Sequence, residues 1–93
     1  MADLTPEDVA KALERLPGWS GGTDRISRTV PCLPEGLLDR VHAAEEELDH
    51  HVVVEQGVGG TALVAWTHSR GCVTDRDVEL ALRINALLDH PGA

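Results

Sequence analysis

Apolar residues return every three or four positions in three stretches of the chain, and between these stretches β-branched residues gather beside turn formers. Thr5 followed by Pro6, Glu7 and Asp8 is a helix start: a hydroxyl cap, a proline at the first helical position, and acids at the positive end of the dipole. Val9, Ala12, Leu13 and Leu16 then share one helical face, and Pro17-Gly18 stops it, so the spacing predicts a helix over 6–16. Trp19 leads into a turn-rich stretch, 20–24, and Ile26, Ser27, Arg28, Thr29 and Val30 have the composition of a strand, which suits a first hairpin.

Pro31 and Pro34 close that strand. From Glu35 the apolar positions Leu37, Leu38, Val41, Ala44 and Leu48 follow the 3.6-residue period of a second helix, expected to end near His50. Val52, Val53 and Val54 form the next strand, 57–60 supplies glycine-rich turn residues, and 61–67 is a further strand, together a second hairpin. Thr74 caps a last helix, with Asp77 three residues later as a short form of the capping box. Val78, Leu80, Ala81, Ile84, Leu87 and Leu88 are its broad apolar stripe.

The order α-β-β-α-β-β-α predicts a two-layer α+β domain: one four-stranded antiparallel sheet with the helices on a single face. With 93 residues and no internal repeat, 1–93 is expected to be one domain. Phe and Tyr are absent, so Trp19 and Trp66 are the only large aromatics and aliphatic packing dominates. The net charge of −8 disfavours nucleic acid and anionic membrane surfaces as direct partners. There is neither a signal-like start nor an apolar run near the ~20 residues that span a bilayer, so a soluble cytoplasmic protein is expected. Cys32 and Cys72 are too far apart to form a CxxC unit and read as reduced, buried thiols.

Chemistry concentrates in Glu45-Glu46-Glu47-Leu48-Asp49-His50-His51, where four acids and two imidazoles share a helix exit. Imidazole gives or takes protons near neutrality, so two of them at one exit can serve acid–base work. The simpler alternative is a solvated pair favoured by the helix dipole. His68, at the end of the strand 61–67 and before the loop 69–72, shifts the balance, because strand ends and the loops after them are where sites are built. Asp77, in the first turn of the last helix, is expected to close the same cleft. His42 reads as a solvated or partner-facing helix residue and His90 as part of a fraying tail. The three glutamates read mostly as a solvated face, with Glu46 alone near the site, and Trp66 as a filler of core volume in preference to an oligomer contact.

Leu-Pro-Gly-Trp-Ser at 16–20, the helix ending in Asp49-His50-His51, Thr67-His68, and Val73-Thr74-Asp75-Arg76-Asp77 with Leu80-Ala81 together resemble the pterin-4a-carbinolamine dehydratases, also called DCoH proteins. Seventeen positions separate His51 from His68 and nine separate His68 from Asp77, which agrees with that family without a gap. The resemblance implies elimination of water from a 4a-hydroxytetrahydropterin to give a quinonoid dihydropterin, with no metal or organic cofactor. It further implies that His50 and His68 are the acid and base, that His51 binds and orients the pterin, and that Glu46, Asp49, Arg76 and Asp77 line the site or hold the imidazoles. A homodimer or homotetramer is also implied, and exposed sheet edges give a physical reason for one.

The chain departs from the family at four places. Val52 stands where proline usually follows the histidine pair, Val54 and Val58 replace aromatics, and Gly71-Cys72 replaces a double glycine. Loss of flat side chains removes stacking surface, which is worth on the order of 1–3 kcal/mol per ring. Two other readings stand beside the dehydratase: a noncatalytic dimerisation or assembly module on the same scaffold, and a His/Asp metal site from His50, His51 and His68. The second is disfavoured because neighbouring side chains at a strand start point to opposite faces.

Overall fold

Residues 2–89 are described by the computed structural model. The first helix, α1 (Pro6–Glu14), starts as the cap residues dictate. Asp8 N–H donates to Thr5 Oγ1 and Thr5 N–H donates to the Asp8 carboxylate, each at 3.1 Å, a complete capping box. Regular helix ends two residues before Leu16, but Leu16 N–H reaches the Leu13 carbonyl in a tighter turn and its side chain stays in the core.

The first hairpin pairs the two-residue β1 (Ser20–Gly21) with β2 (Ile26–Val30). Gly21 is required there: its φ is +138° and a Cβ would lie 2.2 Å from the Arg25 carbonyl. The second helix, α2 (Leu37–Leu48), begins two residues later than the periodicity predicts, because Gly36 in a left-handed conformation separates it from Pro34. The second hairpin joins β3 (Val53–Gly57) and β4 (Gly60–Ala65) through Val58 and Gly59. The strand expected over 61–67 stops at Ala65; Thr67 forms an isolated bridge to Cys72 instead. The last helix is α3 (Asp75–Asp89), and His90, assigned above to a tail, lies outside the described residues.

The four strands form one antiparallel sheet in the order β1-β2-β4-β3. β4 is central, with Arg28 opposite Leu63 on one side and Val54 opposite Leu63 on the other. Ile26, Val30, Leu63 and Ala65 pack with Val9, Ala12, Val41, Leu80 and Ile84 of the helices in one aliphatic cluster, giving the expected two-layer α+β architecture. Trp19 is buried beside them, and its Nε1–H donates to Asn85 Oδ1 at 2.7 Å, which satisfies the indole on α3. Among the described residues no helix is long and apolar enough to cross a membrane.

Candidate active site

The exit of α2 is built by Asp49, which adopts φ 50° and ψ 48°, a left-handed conformation that short polar side chains tolerate. It ends the helix and turns the chain so that the two histidines part. His50 is buried at 8% exposure, with Nε2 2.5 Å from Asp77 Oδ1, while the His51 side chain is 84% exposed.

Asp77 is fully buried in the first turn of α3. Its Oδ2 accepts from Thr74 N–H and from Thr67 Oγ1–H, both at 2.8 Å, and Thr74 Oγ1 lies 2.8 Å from Thr67 Oγ1. One carboxylate therefore caps α3 with one oxygen and holds His50 with the other. Acting as an acceptor only, it requires the proton of a neutral His50 to sit on Nε2. Nδ1 then carries the lone pair, and it has no partner among the described residues.

His68 is exposed, just past the end of β4. Its segment is held by Thr67 N–H to the Cys72 carbonyl at 2.9 Å and by Gly71 N–H to the Thr67 carbonyl at 2.8 Å. Gly71 has φ +68° and Cys72 has no positive φ, so the glycine this backbone requires is the one the chain retains. The ring of His68 stacks on Trp66, with centroids 4.2 Å apart and planes 27° from parallel.

Asp49, His50, His51, Trp66, Thr67, His68 and Ser69 line one cleft of about 280 Å³. The three imidazoles and Asp49 are thus brought together. Glu46 is exposed on α2 and does not line the cleft. Arg76 donates to the Leu48 carbonyl and so holds the end of α2 rather than the cleft wall. Asp77, with no accessible surface, is a positioning residue behind His50 and cannot touch a ligand.

Three residues carry more than their sequence reading assigned. Trp66 does not fill the core; it is half-buried and forms a wall of the cleft. Thr67 is a buried hydroxyl that ties His50, Thr74 and Asp77 together. Glu45 is 4% exposed, because it falls on the inward stripe of Val41, Ala44 and Leu48. Extending that stripe by one i, i+4 step from Val41 identifies Glu45 from the sequence. Glu47, on the outer side, pairs with Arg83 at 2.5 Å.

A larger hollow of about 520 Å³ between α2 and α3 is lined by Ala43, Ala44, Ala86 and Leu87 with Arg40, Arg83 and Glu47, and it contains no imidazole. Among the described residues no group of three or more His, Cys, Asp or Glu side chains is placed to hold a metal ion. Neither cysteine is buried as expected: Cys32 is exposed and Cys72, beside the site, is half-buried, where partial burial pushes its thiol up with the Asp3 carboxylate adding to the effect. The Ala2 N–H donates to the Asp75 carboxylate and lowers its value, which pins the N-terminal segment to the start of α3.

Three imidazoles around one cleft, one of them backed by a buried aspartate, make up a candidate acid–base site on an α+β domain. Comparison with known proteins agrees with that class. The sequence model of a family described as pterin 4 alpha carbinolamine dehydratase matches residues 2–87. A Streptomyces coelicolor protein named "Putative pterin-4-alpha-carbinolamine dehydratase" is 38% identical over 95 aligned positions, spanning 97% of this chain and 94% of its own length. A Nocardia farcinica protein of the same name is 39% identical, over 90% of this chain and 93% of its own. Among solved structures, a transcriptional coactivator/pterin dehydratase from Brucella melitensis superposes with a TM-score of 0.79 at 28% identity, over 90% of this chain and 96% of that one. The chain belongs to the pterin-4a-carbinolamine dehydratase family.

Proposed function

We propose that the chain removes water from a 4a-hydroxytetrahydropterin and releases the quinonoid dihydropterin. The observation that carries this reading is the cleft in which a histidine oriented by Asp77 faces two further imidazoles. In the elimination, the C4a–O bond breaks as a proton reaches the departing hydroxyl. A second proton leaves the adjacent ring nitrogen, and its electron pair forms the double bond to C4a. One acid and one base suffice, and no electrons enter from outside.

His50 suits the base: Nδ1 accepts the ring proton, and the Asp77 carboxylate against Nε2–H stabilises the imidazolium that results. His68 suits the acid that protonates the leaving hydroxyl, since it lies exposed across the same cleft. His51 and Asp49 contribute polar groups that orient the pteridine. Trp66 offers the flat surface that Val54 and Val58 lack, on the wall where the acid sits. A cleft of about 280 Å³ accepts a bicyclic ring, being close to the lower end of the ~300–1,000 Å³ found for drug-sized ligands.

The two described cysteines are unpaired, which fits a reducing cytoplasm, and the outer strands β1 and β3 leave sheet edges suited to a homodimer or homotetramer. The word coactivator in the name of the Brucella melitensis protein keeps a second reading, a noncatalytic interaction module, in view. A stopped assay with a 4a-hydroxytetrahydropterin separates the two. Dehydration well above the uncatalysed rate that falls in His50→Ala and His68→Ala supports the enzyme, whereas a wild-type rate equal to the uncatalysed one supports the module.

A further inference from the structure

Val52 follows the histidine pair, and its backbone N–H belongs to a residue only 9% exposed. A buried donor needs an acceptor. Glu45 supplies it, with Oε2 2.8 Å from Val52 N. The same residue's main-chain carbonyl accepts from His50 N–H at 3.0 Å. Glu45 therefore grips the pair from both sides, His50 through its backbone and the 51–52 peptide through its side chain.

The carboxylate reaches further. Oε2 is 3.5 Å from His51 Nδ1, and Oε1 is 2.6 Å from His42 Nδ1, so the His42 ring, three residues earlier on α2, holds the carboxylate against rotation. A carboxylate placed at Nδ1 favours the His51 tautomer protonated there and leaves Nε2 as the nitrogen offered to a ligand in the cleft.

We propose that Glu45 is a positioning residue of the histidine pair: its side chain fixes the 51–52 peptide behind the pair, and in addition selects the His51 ring nitrogen that meets the pterin. The second half goes beyond filling a backbone vacancy and rests on the dehydratase reading of the site.

The test separates these roles with Glu45→Gln, Glu45→Ala and the double variant Glu45→Ala/Val52→Pro. In Glu45→Gln the amide oxygen still accepts from Val52 N–H, but the charge beside His51 is gone. KM is expected to rise roughly tenfold while kcat stays within about twofold, taking as a guide the lower end of the loss found when the partner that orients a metal-ligating histidine is removed. Glu45→Ala leaves Val52 N–H unpaired and melts earlier. The double variant removes that N–H and regains the melting temperature, but keeps the raised KM. Independently of turnover, ¹⁵N spectra of the imidazoles at about pH 8.5, where an ordinary histidine is neutral, are expected to show His51 protonated on Nδ1 in the wild type and redistributed in all three variants. A double variant with wild-type KM and wild-type His51 tautomer would reduce Glu45 to a backbone acceptor and overturn the proposal. If the wild type does not dehydrate at all, the dehydratase reading fails, and the imidazole spectra still decide whether Glu45 sets the His51 tautomer.

Discussion

Replacing Asp77 by Asn keeps the shape of the side chain and changes which way protons point. The carboxylate accepts from His50 Nε2–H, Thr67 Oγ1–H and Thr74 N–H. In Asp77→Asn the amide oxygen takes the place of Oδ2 and keeps the two threonine bonds, while the amide NH₂ faces His50 and donates to it. Bonds to a charged acceptor contribute about 1.5–3 kcal/mol and neutral ones about 0.5–1.5, so the two retained bonds lose about 2 kcal/mol together. Part of that is offset because a buried amide needs less desolvation than a buried charge. The variant is therefore expected to remain folded. His50 is changed more: Nε2 must now accept, the proton moves to Nδ1, and the nitrogen proposed as base has no lone pair to offer. General acid–base catalysis is worth about 10²–10⁴-fold, so kcat is expected to fall by at least ~10² with a smaller change in KM. Imidazole ¹⁵N shifts read the tautomer and the stopped dehydration assay reads the rate. A folded variant with the tautomer inverted and kcat unchanged would remove His50 from the chemistry, and one with the Nε2 proton retained would refute the account of Asp77.

Thr67→Val removes a hydroxyl bonded to a buried carboxylate and to Thr74, and is expected to destabilise the fold by about 2–4 kcal/mol in urea unfolding. Trp66→Leu keeps apolar surface but loses the flat face stacked on His68; at about 1–3 kcal/mol per stacked ring, a bound dihydropterin should weaken by roughly 5–150-fold in titration calorimetry. The Thr5 N–H holds the Asp8 carboxyl below its ordinary value of 3.8, so Asp8 stabilises the fold above that pH and the benefit is lost as pH falls through the lower folded value. The melting temperature of Asp8→Asn should accordingly lie below that of the wild type at neutral pH, with the gap closing as the solution is taken below about pH 4. Cys32 is exposed, whereas Cys72 is half-buried with its thiol pushed up, so brief alkylation near pH 8 followed by peptide mass analysis should modify Cys32 first.

The residue order by itself determined the seven elements and the layer architecture, because apolar periodicity, caps and turn glycines act over a few neighbouring residues. Thr5 with Asp8 started α1, Pro17-Gly18 marked its stop, and the glycines of 57–60 joined β3 to β4. The three histidines and Asp49 stood out for the same reason: residue type and spacing name acid–base groups without coordinates. What those groups do to one another was decided only when distant segments met. Asp77 lies 27 positions from His50 and was expected either to line the site or to hold an imidazole; the packing of α3 against the exit of α2 buried it behind the His50 ring, in the second of those places. Glu46 and Glu45 exchanged roles because a helix turns about 100° per residue, so only one of two adjacent acids can face inward. Trp66 follows the end of β4 at Ala65, and its ring lies in the cleft stacked on His68 rather than in the core. Local propensity is written in neighbours along the chain; burial, tautomer and ring stacking arise from neighbours in space, and only the folded packing supplies those.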